Sequence, residues 1–313
     1  MLAYLTGRLF ALLPVLLVVA VVVFMLVHVT PGDPARILLG QDATDAQVAA
    51  LRHDLGLDRP VAVQFALWMG RALHGDLGTS LFLRIPVTAD ILQHLGPTVA
   101  LSLLGLSVAL LVGIPVGVVS AVFRNSWLDQ FSLALAMLGA AVPSFWLGLS
   151  LIVLFAVDFG WLPSSGYRSP AGGLWQSLQY LLLPAFALGI PNSSLIIRFT
   201  RSSLLDVLGN DYIRTARAKG LRGRVVIFRH AFRNALVPIL TVVGLTFAAL
   251  MGGAVVTENV FSLPGIGQLV VSSVLRRDYP VIQGVVLMVA TAYVIINLGV
   301  DLLYFAVDPR VRY

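Results

Sequence analysis

The sequence predicts an all-α polytopic membrane protein with six transmembrane helices. Its 313 residues are 58% hydrophobic and only 12% charged, and their mean hydropathy is +0.91. Soluble domains carry about 25% charged residues, so this composition indicates a chain that lies in lipid. The apolar residues also fall into six runs, each long enough to cross a hydrocarbon core of about 30 Å as a helix. Composition and run length therefore indicate the same class.

The first apolar run, residues 9–28, predicts a transmembrane helix that is not cleaved off. A signal peptide is the alternative, but its apolar region would be shorter and a small-residue cleavage motif would follow it. The residues after the run, H-V-T-P-G-D-P, contain no such motif. Residues 1–29 are therefore predicted to be a lead and the first span, with the amino terminus in the cytoplasm. The other predicted spans are residues 98–123, 131–157, 179–197, 235–256 and 281–307.

Residues 30–97 are predicted to form an extracytoplasmic helical segment. This segment is polar and contains seven Asp and five Arg residues. A turn is predicted at residues 31–34, and two amphipathic helices are predicted at residues 43–55 and 61–73. The second helix carries Phe65 and Trp68, which favour a role at the membrane surface or as a lid. Residues 98–313 then form a membrane core with the remaining five spans.

One basic segment sets the predicted orientation. Residues 198–233 hold nine of the 21 Lys and Arg residues and two of the 15 acids, a local net charge of +7. Because short loops rich in Lys and Arg stay in the cytoplasm, the loop 198–234 is predicted to be cytoplasmic. Six spans then return the carboxyl terminus to the same side, where Arg310 and Arg312 lie.

A short helix is predicted inside the basic loop, at about residues 212–219. Asn210 or Asp211 can cap its first turn, and Gly220 can end it in the left-handed conformation. Ile213, Ala216, Arg217 and Gly220 fall at i, i+3, i+4 and i+7 and are predicted to share one face. Eight residues do not hold a helix alone, so it needs packing from its own domain or from a partner. Small side chains at 216 and 218 would let it enter a cleft on another protein.

The motif T-A-R-A-K-G at residues 215–220, within N-D-Y-I-R-T-A-R-A-K-G, resembles the cytoplasmic loop of ATP-binding-cassette (ABC) importer permeases, and most of all their peptide/nickel branch. Arg214 and Thr215 replace the Glu-Ala of the general pattern, and H-A-F-R at 230–233 replaces Ile-x-Leu-Pro. These departures are habitual in the dipeptide-type branch. The segments P-G-D-P at 31–34, E-N-V-F-S-L-P-G-I-G at 258–267 and D-P-R-V-R-Y at 308–313 are also similar to that branch, so the resemblance runs from residue 9 to residue 313.

The resemblance implies a type I ABC importer permease fold in a bacterial cytoplasmic (inner) membrane, surrounded by lipid. Expected partners are a homologous permease subunit, two cytoplasmic ATPase subunits and an extracytoplasmic substrate-binding protein, with no role for nucleic acid. ATP and Mg²⁺ would bind the ATPases, so this chain itself is expected to need no cofactor and to catalyse no reaction. Expected substrates are di- or oligopeptides, then glutathione, then nickel chelates. The residues expected to couple to an ATPase are Asp211, Tyr212, Ile213, Arg214, Thr215, Ala216, Arg217, Ala218, Lys219 and Gly220.

Two polar stretches are candidates for the translocation pathway. The span that contains Pro184 and Pro191 is the least lipid-like, and it supplies Asn192, Ser193 and Ser194. Glu258 and Asn259 follow the fifth span. The small residues of M-G-G at 251–253 are predicted instead to allow close helix packing.

Other chemistries lack their motifs. The chain has no cysteine. Its sole lysine, Lys219, lies outside any Gly-Lys-Ser/Thr phosphate loop, and the histidines have no metal-ligand spacing. An intramembrane serine protease would need a G-x-S-x-G motif and a histidine within a span. An ion-coupled secondary transporter is the alternative function, but such carriers place ionisable groups near mid-membrane, and here only Glu258 and Asp301 approach that position.

Overall fold

The computed structural model describes residues 2–29, 34–39, 43–54 and 56–307. Within these ranges the chain is helical and forms no β-strand. The predicted turn at residues 31–34 lies mostly outside the described residues. The tail 308–313, with Arg310 and Arg312, lies wholly outside them.

The helices connect in a simple order. They are α1 (Leu2–Val29), α2 (Pro34–Leu39), α3 (Asp45–Asp54), α4 (Val61–Leu73), α5 (Val87–Val122), α6 (Trp127–Ala141), α7 (Ser144–Leu151), α8 (Leu174–Leu208), α9 (Asp211–Ala218), α10 (Gly223–Val225), α11 (Arg233–Val260), α12 (Ile266–Arg276) and α13 (Tyr279–Val307). A π-helical segment, Ile152–Asp158, extends α7, and a second one, Val226–Phe232, joins α10 to α11.

Five stretches are long and apolar enough to cross a membrane: α1, α5, α8, the continuous helix Gly223–Val260, and α13. The remaining predicted span, the third in chain order (residues 131–157), is not one straight helix. Its two halves, Trp127–Ala141 and Ser144–Asp158, meet at an angle of 95°. Val142 is extended (ψ 120°) because it precedes Pro143, which disfavours helical geometry in the residue before it and has no amide hydrogen to continue the helix.

The chain divides into two compact units. The first comprises residues 1–96 and 269–294, and the second comprises residues 97–268 and 295–313. In the first unit the carboxylate of Asp278 accepts hydrogen bonds from Ser80 Oγ at 2.5 Å and from the amide of Leu81 at 3.1 Å. These hydrogen bonds hold the loop before α5 against the turn before α13.

Close contact between α5 and α8 organises the second unit. A Cβ on Gly117 would lie 2.7 Å from Thr200 Cβ, and one on Gly189 would lie 2.5 Å from the carbonyl oxygen of Gly105. The absence of side chains therefore lets the two backbones approach. The predicted packing role of Gly252 and Gly253 is wrong within the described chain, because a Cβ at either position meets nothing within 4 Å.

Candidate functional site

The predicted short helix in the basic loop is present as α9, one residue earlier than expected. Asn210 precedes it with an extended backbone (ψ 149°), but its side chain makes no capping hydrogen bond. Gly220 has φ +77°, the left-handed geometry predicted for the end of the helix. Within α9, the hydroxyl of Thr215 donates a hydrogen bond to the carbonyl of Asp211 at 3.0 Å and so joins the first turn of the helix to the second.

One face of α9 is buried inside the second unit. Ile213 is 0% and Ala216 is 8% exposed. They belong to a buried cluster with Val118, Ala121, Leu204, Val226, Ala231, Ala235 and Ile239, which come from α5, α8, the π-helical segment and α11. This packing supplies the support that eight residues need. Ala216 therefore packs within its own unit rather than in a cleft on another protein. Arg217 and Gly220, predicted to share its face, are exposed.

The opposite face of α9 is exposed and carries a net positive charge. Its exposed residues are Asp211, Tyr212, Arg214, Thr215, Arg217, Ala218, Lys219 and Gly220. Tyr212 is held in place, because its hydroxyl accepts a hydrogen bond from Asn234 Nδ2 at 3.1 Å. Arg214 makes only a 3.5 Å contact with Asp211, and both side chains are more than three-quarters exposed. That weak surface pair leaves the guanidinium accessible to other anionic groups.

Two exposed apolar side chains follow α9 in the chain. Phe228 is 60% exposed and Leu221 is 40% exposed, and both lie in the stretch that follows α9. We call Tyr212, Arg214, Arg217, Lys219 and Phe228 the α9 surface. Exposed aromatic and arginine side chains are typical of surfaces that bind another protein.

An ion pair that the sequence analysis missed lies close to the cluster beneath α9. The guanidinium of Arg201 donates two hydrogen bonds to the carboxylate of Asp129, at 2.7 and 2.8 Å. Ser120 Oγ and the amide of Asn125 donate to the same carboxylate at 2.6 and 2.9 Å. Three helices, α5, α6 and α8, thus meet at one buried carboxylate. The available signal was S-W-L-D at 126–129, a helix-start pattern.

The first group of pathway candidates lies in the middle of α8. Asn192 is partly buried and donates to the carbonyl of Leu188 at 2.7 Å. Ser193 is 3% exposed and donates to the carbonyl of Ile190 at 2.7 Å. Ser194 is also 3% exposed, and its hydroxyl lies where a side chain on Gly139 of α6 would be. Both serines therefore pack between helices of their own chain.

The second group lies at the end of α11 and is not brought together with the first. Glu258 is fully buried, and its carboxylate accepts hydrogen bonds from Thr98 Oγ1 at 2.6 Å and from the amide of Gly267 at 2.7 Å. It thus stabilises the first turn of α12, where a helix favours negative charge. Asn259 is exposed and donates to the carbonyl of Val255. A pathway role for the five residues stays a prediction.

These features define a class of protein: a helical membrane protein with an exposed basic helix seated on the ends of three long helices. A solved chain of the MetNI methionine ABC transporter, in inward-facing conformations, has the same fold, with a TM-score of 0.59 and 20% identity. The match covers 70% of this chain and 96% of that one. It supports the type I importer permease fold.

Family models identify the chain. The model described as "binding-protein-dependent transport system inner membrane component" matches residues 113–313, and the corresponding amino-terminal model matches residues 1–101. The chain therefore belongs to the family of inner-membrane permease components of binding-protein-dependent ABC transport systems. It is a multi-pass inner-membrane protein and not the catalytic component. This membership decides against the ion-coupled transporter.

Relatives are similar over their whole length. The chain is 47% identical to the glutathione transport system permease protein GsiC of Salmonella typhimurium and 43% identical to the dipeptide transport system permease protein DppB of Alkalihalophilus pseudofirmus. It is 45% identical to a putative peptide transport system permease of Brucella abortus. Each match covers 100% of both chains. The resemblance seen in the sequence motifs is confirmed.

Proposed function

We propose that the α9 surface is the site at which a cytoplasmic ATPase subunit docks and drives transport. The observation that carries this proposal is the division of α9 into two faces. Ile213 and Ala216 fix the helix to its own unit, while Arg214 and Arg217 are exposed. A docking helix needs both features, because a loosely held helix would absorb the movement of its partner.

The buried side of α9 would transmit movement of the docked ATPase to the membrane-spanning helices. Its cluster includes Leu204 of α8 and Ala235 of α11, two of the long apolar helices. A displacement of α9 therefore pushes directly on both. Interiors packed at this density transmit strain rather than absorb it. Closure of the ATPases on ATP and Mg²⁺ would in this way switch the spans from inward-facing to outward-facing.

The working complex would contain this chain, a homologous permease, two ATPase subunits and an external substrate-binding protein. The +7 charge of residues 198–233 supports a cytoplasmic position for α9, with both termini on the same side and residues 30–97 outside. Di- or oligopeptides and glutathione are the proposed substrates, since the relatives named above are permeases for glutathione, dipeptides and peptides. Selection among them would rest mainly with the external protein.

Charge reversal tests the docking site. Arg217→Glu changes one exposed guanidinium and touches none of the buried cluster, so the variant should insert and pair with its sister permease normally. We expect it to co-purify with fewer ATPase subunits than the wild type and to lose uptake in proportion. Arg168→Glu, an exposed arginine in the loop before α8, is the matched control and should keep both. Equal ATPase content and transport in the wild type and Arg217→Glu would refute docking at this surface.

A further inference from the structure

The first unit contains a cavity of about 380 Å³ that shares no lining residue with the α9 surface. It lies among the carboxyl-terminal part of α1, the turn after α3, α4 and the start of α13. Pockets for small ligands have volumes of about 300–1,000 Å³, so this one can hold a group the size of a lipid headgroup. Its lining residues are Phe24, Val27, His28, His53, Gly56, Leu57, Arg59, Gln64, Leu67, Trp68, Arg71, Leu81, Tyr279, Pro280 and Gln283.

The polar side of the cavity carries positive charge. Arg59 and Arg71 both line it, and within the described part of the chain neither guanidinium has a hydrogen-bond or ion-pair partner. The described residues that line the cavity include no acid. The nearest carboxylate in sequence, Asp58, is engaged by His53 Nδ1 at 2.7 Å, and this hydrogen bond lowers the pKa of Asp58. The two arginines are therefore left to bind an external anion.

A buried hydroxyl adds a second, independent indication of a ligand. Tyr279 lines the cavity and is 6% exposed, and in the described structure its hydroxyl has no hydrogen-bond partner. An unpaired buried hydroxyl costs about 1–3 kcal/mol, so such groups normally have a partner. Gln283, which lies beside it, is occupied with the carbonyl of Val23 at 3.3 Å. A turn of the Tyr279 side chain towards the cavity would let a ligand oxygen supply the partner that its hydroxyl lacks.

The apolar side of the cavity lies at the end of the membrane-spanning helix α1. Phe24, near the end of the membrane-spanning α1, packs on Phe65 and Trp68 of α4 with ring centroids 5.3 and 5.7 Å apart. Aromatic residues concentrate where hydrocarbon meets water. The outer face of α4 is apolar as well: Leu67 is 48% and Leu73 is 79% exposed. A bound molecule would therefore contact cations at one end and hydrocarbon at the other.

We propose that this cavity binds an anionic phospholipid. Its phosphate oxygens would accept hydrogen bonds from Arg59, Arg71 and Tyr279, and an acyl chain would lie along Leu67 and Trp68 beside α1. Arginine suits this task because its planar guanidinium pairs with two phosphate oxygens at once. A peptide would satisfy the cations with its carboxylate, but it would leave the exposed apolar face of α4 uncovered.

Native mass spectrometry of the intact importer complex tests the site. The complex in detergent is mixed with phosphatidylglycerol or with phosphatidylcholine of the same chain length, and the retained adducts are counted. We expect phosphatidylglycerol to be retained and phosphatidylcholine to be lost. Arg59→Gln combined with Arg71→Gln should weaken retention at least about tenfold, and Tyr279→Phe should have a smaller effect. Arg168→Gln is the matched control and should bind as the wild type does.

Competition identifies the source of the anion. Glycerol phosphate, which has the headgroup but no acyl chain, should not displace the lipid at equal concentration. Displacement by glycerol phosphate or inorganic phosphate would reduce the site to a general anion site, and displacement by a dipeptide would make it a substrate site. Equal retention of the two lipids, or no effect of the double arginine variant, would also overturn the proposal. If the double arginine variant does not assemble, the retention of phosphatidylglycerol and phosphatidylcholine by the wild type alone tests the proposal.

Discussion

Asp129 of α6 and Arg201 of α8 form a two-pronged ion pair, with Nε 2.7 Å from Oδ1 and Nη2 2.8 Å from Oδ2. The side chains are 3% and 22% exposed. Leu204, one turn further along α8, belongs to the cluster beneath α9. The ion pair therefore fixes the helix end on which the proposed docking helix rests.

We expect Asp129→Asn to destabilise the permease, because it leaves the guanidinium of Arg201 without its charged partner. Breaking a fully buried pair costs about 3–5 kcal/mol, and the partial exposure of Arg201 reduces our estimate to about 1–3 kcal/mol. The measurement is the Tm of the purified complex. Combining Asp129→Asn with Arg201→Gln should lower the Tm by less than the two single changes added together. Strict additivity would mean that the two residues are not coupled. Arg198→Gln changes an exposed arginine on the same helix and should have little effect.

The close contact of α5 with α8 gives a second prediction. Gly117→Ala places a Cβ 2.7 Å from Thr200 Cβ and 2.8 Å from the carbonyl oxygen of Ile197, so one helix must shift. Overpacking of this kind costs about 1–3 kcal/mol and should lower the Tm of the complex. Gly96→Ala, in the same helix, meets nothing within 4 Å and should leave the Tm unchanged or slightly higher. Equal effects of the two substitutions would contradict the packing described here.

The sequence could predict the elements that depend on local pattern. Apolar runs indicate the spans by their length, and α9 was expected within one residue because a left-handed glycine, Gly220, ends it. The contacts that the sequence did not predict join distant residues. Asp129 and Arg201 are 72 positions apart, and the carboxylate of Glu258 meets Thr98 across 160 positions. Sequence periodicity does not indicate such pairs. The sequence therefore suggests a pathway role for Glu258 but not the hydrogen bonds that its carboxylate makes at the start of α12.

The bend in the third span shows an intermediate case. Pro143 favours a break in this span, since proline interrupts the backbone hydrogen bonds of a helix. It did not predict the angle of 95°. Pro184 and Pro191, by contrast, remain inside the continuous α8. α8 packs closely against α5, α6 and α11. Such neighbours can satisfy the backbone groups that a proline leaves free in a membrane helix.

The membrane orientation gives a third prediction, and the absence of native cysteine makes it simple to test. A single cysteine at Arg222 or at Ser169 replaces an exposed residue in either case. Because the basic loop should be cytoplasmic, an impermeant thiol reagent added to intact cells should label position 169 and not position 222. Permeabilised cells provide the control, in which both positions should react. Labelling of position 222 from outside would reverse the proposed topology.

The last prediction separates the two faces of α9. Ala216 is 8% exposed and packs inside its own unit, so Ala216→Trp must push the helix off its seat, at a cost of about 1–3 kcal/mol. Arg217→Glu changes only the exposed face and should leave the seat intact. Both variants should lose ATPase subunits, but for different reasons. Ile213→Cys reports the difference, because residue 213 is 0% exposed in the seated helix and a cysteine there should be protected from thiol reagents.

We therefore expect the cysteine at position 213 to react rapidly in the Ala216→Trp background and slowly in the Arg217→Glu background. Ala218→Trp, at an exposed position of the same helix, is the matched control for the bulk of the side chain, and it should leave position 213 protected. The comparison has a clear negative result. If position 213 reacts equally in all backgrounds, α9 is not held by the buried cluster, and the route from the docking helix to α8 and α11 fails with it. Protection that is lost only with Ala216→Trp would establish that the two faces act separately, one as seat and the other as docking surface.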